Sequence, residues 1–183
     1  RRGDAFDEKT NDAIEALWKQ WTAAKRCHTA GKLSWARLQQ VIIQGVFESG
    51  EILVRLVRQK FADSRVRLAI ELIEADQIVD TWTGHVAETG NEIRMGVEVD
   101  KWQRPVAYWL YPRHPGDNLA SATLDSTNYV RVPADEIVHI ALFDRPYQTR
   151  GVPWMHATLV KLRHMGGYEE AEIIAARASS AIM

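Results

Sequence analysis

Apolar residues recur at intervals of three and four near the start of the chain. Ile14, Leu17, Trp18 and Trp21 fall on one stripe between residues 7 and 24, which predicts an amphipathic helix carrying two indoles. Gly31 interrupts the pattern. Ser34 then stands in an N-cap position before a second stripe, Trp35, Leu38, Ile42 and Val46, that stops near Gly50, so a pair of antiparallel helices is expected. Beyond Gly50 the period shortens to two: Ile52, Val54 and Leu56 take one face, and Leu53, Arg55 and Val57 the other. A turn over residues 61–65 and a second alternating run over 67–74, with Leu68, Ile70 and Leu72 on one face, complete a predicted hairpin.

Residues 81–91 have little periodicity. Residues 93–99 alternate again as one strand, a turn follows at Asp100 to Pro105, and residues 106–111 return as its partner, with Val97 and Val99 facing the same layer as Val106 and Tyr108. Residues 116–128 are small and polar and read as a surface loop. Val130 and Val132 make a short strand that Pro133 breaks, and residues 137–141 make another. Helical spacing then resumes at Val152, Met155, Leu159 and Leu162 with Pro153 in the first turn, Gly166-Gly167 reads as an interruption, and a last helix runs from 168 to 182. The expected fold class is α+β: an N-terminal helical pair, an antiparallel or mixed sheet, and C-terminal helices packed against it. Its expected segments are a helical part over 1–50, a β-rich core over 51–150 and C-terminal helices over 151–183.

With 183 residues and 46% hydrophobic content, the chain has enough apolar material for a packed core. No apolar run approaches the roughly 20 residues that cross a bilayer. The chain opens at Arg1 without a methionine and stops within an alanine-rich helical pattern, which reads as a piece of a longer protein truncated at both ends. A formal charge of -1 sets aside a uniformly basic DNA-binding surface and an acidic tail. Charge is nevertheless uneven: residues 71–100 hold eight acids against Arg94 alone, while residues 51–67 hold Arg55, Arg58, Lys60, Arg65 and Arg67 against two acids. Such a pattern suits a ring whose acidic side meets the basic side of the next subunit; it equally suits two faces of one monomer that neutralise each other. Cys27 is the lone cysteine, which excludes an internal disulfide and suits a reducing compartment.

The residues capable of chemistry form no recognised constellation. The six histidines, His28, His85, His114, His139, His156 and His164, lack the i, i+4 pair around a glutamate of a zinc hydrolase helix, so no metal and no cofactor is expected. His139, between Val138 and Ile140 in a strand, reads as a buried, hydrogen-bonded imidazole more readily than as a base. Glu71, Glu74, Asp76 and Asp80 read as a solvated face, and the sequence holds no nucleophile elbow, phosphate loop or dinucleotide fingerprint. Of the tryptophans, Trp18, Trp21 and Trp35 fall on helical stripes and suit a core, whereas Trp102 and Trp154 sit in loops and suit an interface.

Several segments share their order with one family. Gly50-Glu51-Ile52-Leu53-Val54 resembles "G-E-x-(F/L)-V"; Ala75-Asp76-Gln77-Ile78 resembles "P-D-x-(I/L)"; and residues 97–110, with Asp100, Arg104 and Pro105, resemble "G-(I/V)-E-x-D-x-x-G-R-P-V-A-Y". There Gln103 replaces the usual turn glycine, which predicts a looser turn. Residues 130–139, with Pro133 and His139, resemble "R-(V/I)-P-A-x-x-(I/V)-x-H", and residues 145–154, with Arg145, Gln148, Arg150 and Gly151, resemble "R-x-x-Q-x-R-G-(V/I)-(P/S)". Together these are similar to lambda-type phage portal proteins. The resemblance implies a non-enzymatic, homo-oligomeric ring, commonly of twelve subunits, at one capsid vertex. It implies partners of four kinds: other copies of the chain, double-stranded DNA in the channel, the terminase, and capsid and head-tail connector proteins. The expected location is the virion, and the bacterial host cytoplasm during assembly. Arg145 and Arg150 suit phosphate contacts or, equally, closure of their loop by pairing with carboxylates or carbonyls, and Gly151 suits a tight turn into the following helix. The alternative is a nucleic-acid-processing hydrolase, which requires His139, His156 and nearby acids to converge in one pocket.

Overall fold

The computed structural model describes residues 7–117 and 128–182. Most of the loop expected over 116–128 therefore lies outside the described residues. Three helical segments come first: α1 (Glu8–Trp21), α2 (Ala24–Cys27) and α3 (Trp35–Ser49). Asp7 caps α1, its carboxylate accepting from the Thr10 amide at 3.2 Å. Ser34 occupies the N-cap of α3 with extended backbone, but its hydroxyl makes no capping bond. Gly50 ends α3 in the left-handed region, φ 86°.

Strands β1 (Glu51–Val57) and β2 (Ala69–Glu74) form the expected antiparallel hairpin, and β8 (Ile137–Ala141) pairs along the other edge of β1. A second, five-stranded antiparallel sheet holds β3 (Gly84–His85), β4 (Glu92–Arg94), β5 (Val97–Val99), β6 (Pro105–Leu110) and β7 (Val130–Pro133). The single strand expected over 93–99 is thus a hairpin. Met95 and Gly96 both take positive φ, 48° and 81°, the combination of a type I′ two-residue turn. β3 lies in the stretch whose periodicity is too short to read.

Strand alternation sorts the side chains into two cores. One face of β1 and β2 presents Leu53 and Ile73 to Val97, Val99, Tyr108, Leu110 and Val132 of the second sheet. The opposite face presents Val54 and Ile70 to Trp21, Cys27 and Leu38 of the helices. The result is three layers, helices, small sheet and larger sheet. Each fully buried leucine or isoleucine contributes about 1.5–3 kcal/mol. The three helix-stripe indoles cluster, with ring centroids 5.3–5.6 Å apart, and buried Trp21 donates its indole N–H to the Leu68 carbonyl at 2.7 Å.

At the C-terminus one helix, α4 (His156–Ile182), runs straight through Gly166-Gly167, where two helices were expected. Two glycines cost a helix about 1 kcal/mol each relative to alanine, which weakens it without ending it. Pro153 precedes α4 instead of starting it, and the described α4 side chains are exposed instead of packed on the sheet.

Candidate functional site

The feature with the densest polar geometry sits where β1 begins. Alternation along β1 turns Glu51 and Leu53 toward the larger sheet, and the pairing of Leu53 with His139 puts the imidazole on that same face of β8. Glu51 is 2% exposed and His139 Nε2 lies 2.9 Å from its Oε2. The same oxygen accepts from the Gly151 amide at 2.6 Å, and Oε1 accepts from Arg150 Nε. Because an ionised carboxylate only accepts, the shared hydrogen must sit on Nε2 of His139. Nδ1 faces the Tyr108 hydroxyl at 3.4 Å.

Arg150 donates from all three of its guanidinium nitrogens. Beyond Glu51 it donates to the Met95 carbonyl at 3.1 Å and to the Ala75 carbonyl at 3.2 Å, so one guanidinium joins the first sheet, the short helical turn after β2 and the β4–β5 turn. These bonds, to a carboxylate and two carbonyls, are of the loop-closing kind. Arg145, in contrast, is exposed and its guanidinium has no partner among the described residues. Gln148 closes the loop from within, accepting from the Asp144 amide and donating to the Leu142 and Arg150 carbonyls.

The electrostatics follow from this packing. Burial by itself raises the Glu51 pKa, but the His139 hydrogen bond, the Arg150 charge and the Gly151 amide outweigh it and hold the carboxyl below its ordinary value. Burial, with the Glu51 charge beside it, pushes the Tyr108 phenol up to about 12.

Two glycines make the junction possible. A Cβ on Gly151 would lie 2.2 Å from the Gly50 carbonyl oxygen, and a Cβ on Gly50 would lie 2.4 Å from the Val152 carbonyl carbon. The two backbone segments therefore cross in direct contact. Gly151 serves this crossing and not the turn into a helix expected of it, since α4 starts only at His156.

The remaining motif residues shape local structure. Asp100 accepts from the Trp102 and Arg104 amides at 2.8 and 2.9 Å, and Gln103 adopts φ 65°. Glutamine thus fills the left-handed position of a glycine, and the turn stays tight where a looser one was expected. Arg104 and Pro105 are exposed at the start of β6, Pro133 ends β7, and Asp76 is exposed away from the junction. Trp102 is 70% exposed beneath the Lys101 ammonium, and Trp154 stands edge-on to Phe47.

A second buried carboxylate lies in the larger sheet. Glu98 is 0% exposed and accepts from Arg131 Nε at 2.8 Å, Arg131 Nη2 at 3.1 Å and Asn91 at 2.8 Å. The Arg131 hydrogen bond lowers its pKa against burial. Its place in the alternating run 97–99 was the available signal: a glutamate between two buried valines in a central strand needs a partner.

Chemically this arrangement clamps. Every Glu51 oxygen is taken by a donor, and its lowered pKa makes it a poor proton acceptor. His139, Phe143, Tyr147 and Gln148 line a pocket of about 380 Å³, whose walls do not include His156. His156 instead lies exposed at the start of α4, its Nδ1 2.9 Å from the Pro153 carbonyl. No group of three or more histidine, cysteine, aspartate or glutamate side chains is placed to hold a metal among the described residues.

Comparison with known proteins gives this clamp its context. The model of the phage portal protein family of lambda type matches residues 1–183. The chain belongs to the lambda family of phage portal proteins. A probable portal protein of Halomonas phage phiHAP-1 is 37% identical over 172 residues, which cover 93% of this chain and 32% of that protein. The chain therefore spans about a third of the length of this portal relative. Of the segments that resemble the family in sequence, Gly50-Glu51, His139 and Arg150-Gly151 supply residues that meet at the junction.

Proposed function

We propose that this chain is part of a structural subunit of a phage or prophage portal ring, in which many copies close an annulus that passes double-stranded DNA during packaging and ejection. It does so without catalysing a reaction. The observation that supports this reading most is the portal-family match along the whole chain, joined to a motif whose ionisable groups are spent on one another. A conduit for moving duplex needs walls that do not grip, because many phosphate contacts release counterions and bind tightly. A formal charge of -1 fits that need. Residues 51–150 act as the portal core, with residues 1–50 packed on it and residues 151–183 leading away.

On this reading the ring contacts the terminase, capsid proteins and head-tail connector proteins, and it resides in the virion after assembly in the host cytoplasm. Exposed Trp102 and Trp154 serve as contacts between subunits. Negative-stain imaging of the full-length chain tests the proposal. Annular particles with a central hole are expected, together with weak DNA retention, without sequence preference, that salt abolishes. Compact particles with no hole, or turnover of a nucleic acid in a metal-replete screen, would overturn it.

A further inference from the structure

The β1–β2 hairpin carries opposite charge at its two ends. After Val57 and before Ala69 the connecting loop exposes Lys60, Arg65 and Arg67, none with an ion-pair partner among the described residues. The acid in this loop, Asp63, is already held by Arg26 at 2.7 Å, which with Lys25 lowers its pKa to about 2. Arg58 stands apart from the three, in a groove with Asp135 and Glu136. At the other end, Glu48 from α3 and Glu74 from the end of β2 line a groove of about 170 Å³ with Gln44. Both carboxylates are exposed; Gln44 donates to Glu48, and Glu74 faces His114 at 3.2 Å.

The two ends cannot neutralise each other within one molecule. β1 has seven residues, which at roughly 3.3 Å per residue separates them by about 20 Å. That is about twice the screening length of roughly 8–10 Å at ordinary ionic strength. A second copy can bring them together, and placing complementary patches at opposite ends favours repetition head to tail, the arrangement that closes into rings.

We propose that the hairpin tip of one copy, through Lys60, Arg65 and Arg67, docks against the Glu48–Glu74 groove of the neighbouring copy. This rests on the ring reading and specifies one of its contacts. Such charge pairing steers assembly and sets register more than it adds affinity. The test uses the full-length chain at low salt, with annular particles counted by electron microscopy and the assembled fraction measured by sedimentation. The tip variant K60E/R65E/R67E and the groove variant E48K/E74K should each assemble at least tenfold less than the parent. Mixing the two should recover assembly through alternation of the variants, because every mixed contact then pairs a negative tip with a positive groove or a parent tip with a parent groove. Combining all five substitutions in one chain should restore rings, since every contact then has reversed but complementary charge. All sites are exposed, and unchanged circular dichroism confirms that the variants fold.

Rings formed equally well by both single-sided variants would overturn the contact while leaving the portal reading intact. So would a five-fold variant that fails to recover. A tip variant that assembles normally but loses retention of duplex DNA would assign the three cations to phosphate instead. A parent that forms no annular particles would overturn both the contact and the ring reading.

Discussion

The chain contains two pairs of glycines that do opposite work. Gly50 and Gly151 lie against each other so closely that a Cβ on either would meet backbone at 2.2–2.4 Å. Gly166 and Gly167, in mid-helix, have nothing within 4 Å of an added Cβ. The first pair is required by its surroundings; the second is tolerated by a helix whose described side chains are all exposed. The same residue type thus marks the most constrained point of the fold and one of the least, and only the surroundings tell them apart.

The largest effect is expected at the clamp beside the first pair. Glu51→Ala leaves the Arg150 guanidinium and His139 without their shared carboxylate, and should lower unfolding free energy by about 3–5 kcal/mol. Urea denaturation that finds a loss below about 1 kcal/mol would show that the junction is not a stability element. Next comes Gly151→Ala, whose methyl must displace the Gly50 carbonyl. A loss of about 1–3 kcal/mol is expected from overpacking against backbone, read by the same denaturation series.

Acid should sharpen the contrast. Glu51 and Glu98 both have folded-state pKa values below the ordinary 4.5, so the unfolded chain binds more protons as pH falls. Their contribution is complete above about pH 4.5 and is lost as pH drops through the lowered values. Glu51→Gln should flatten the dependence of stability on pH in that acidic window. A slope unchanged below pH 4.5 would remove Glu51 from the balance. The smallest effect is at the other glycine pair: Gly166→Ala should raise the helical signal and stability by at most about 1 kcal/mol. A loss of stability there would mean that the helix has a close neighbour.

What the sequence made legible follows from the range over which each signal acts. The helical stripe of Trp35, Leu38 and Ile42, and the change to period two after Gly50, are local, and they located α3 and the β1–β2 hairpin. The Met95-Gly96 turn was hidden because its two residues sit inside an otherwise alternating run, leaving Gly96 as the sole punctuation. Gly166-Gly167 misled for the converse reason: a strong local breaker can be overridden by the helical residues on both sides of it. The junction belongs to neither class. Glu51 meets His139 and Arg150 across 88 and 99 residues of chain, a distance that no periodicity spans. Their family motifs singled these residues out, but only the pairing of β1 with β8 and the crossing at Gly50 and Gly151 show why they belong together. Arg145 and Asp76, from the same motifs, stay outside the junction because both remain on the surface.

The crossing of Gly50 and Gly151 also has a mechanical consequence. α4 begins five residues beyond it as a 27-residue rod, and the segment leading into that rod bears on Gly50 and Glu51 through peptide groups. The crossing is therefore a fixed pivot, and the slack between rod and sheet is confined to residues 152–155 that join them.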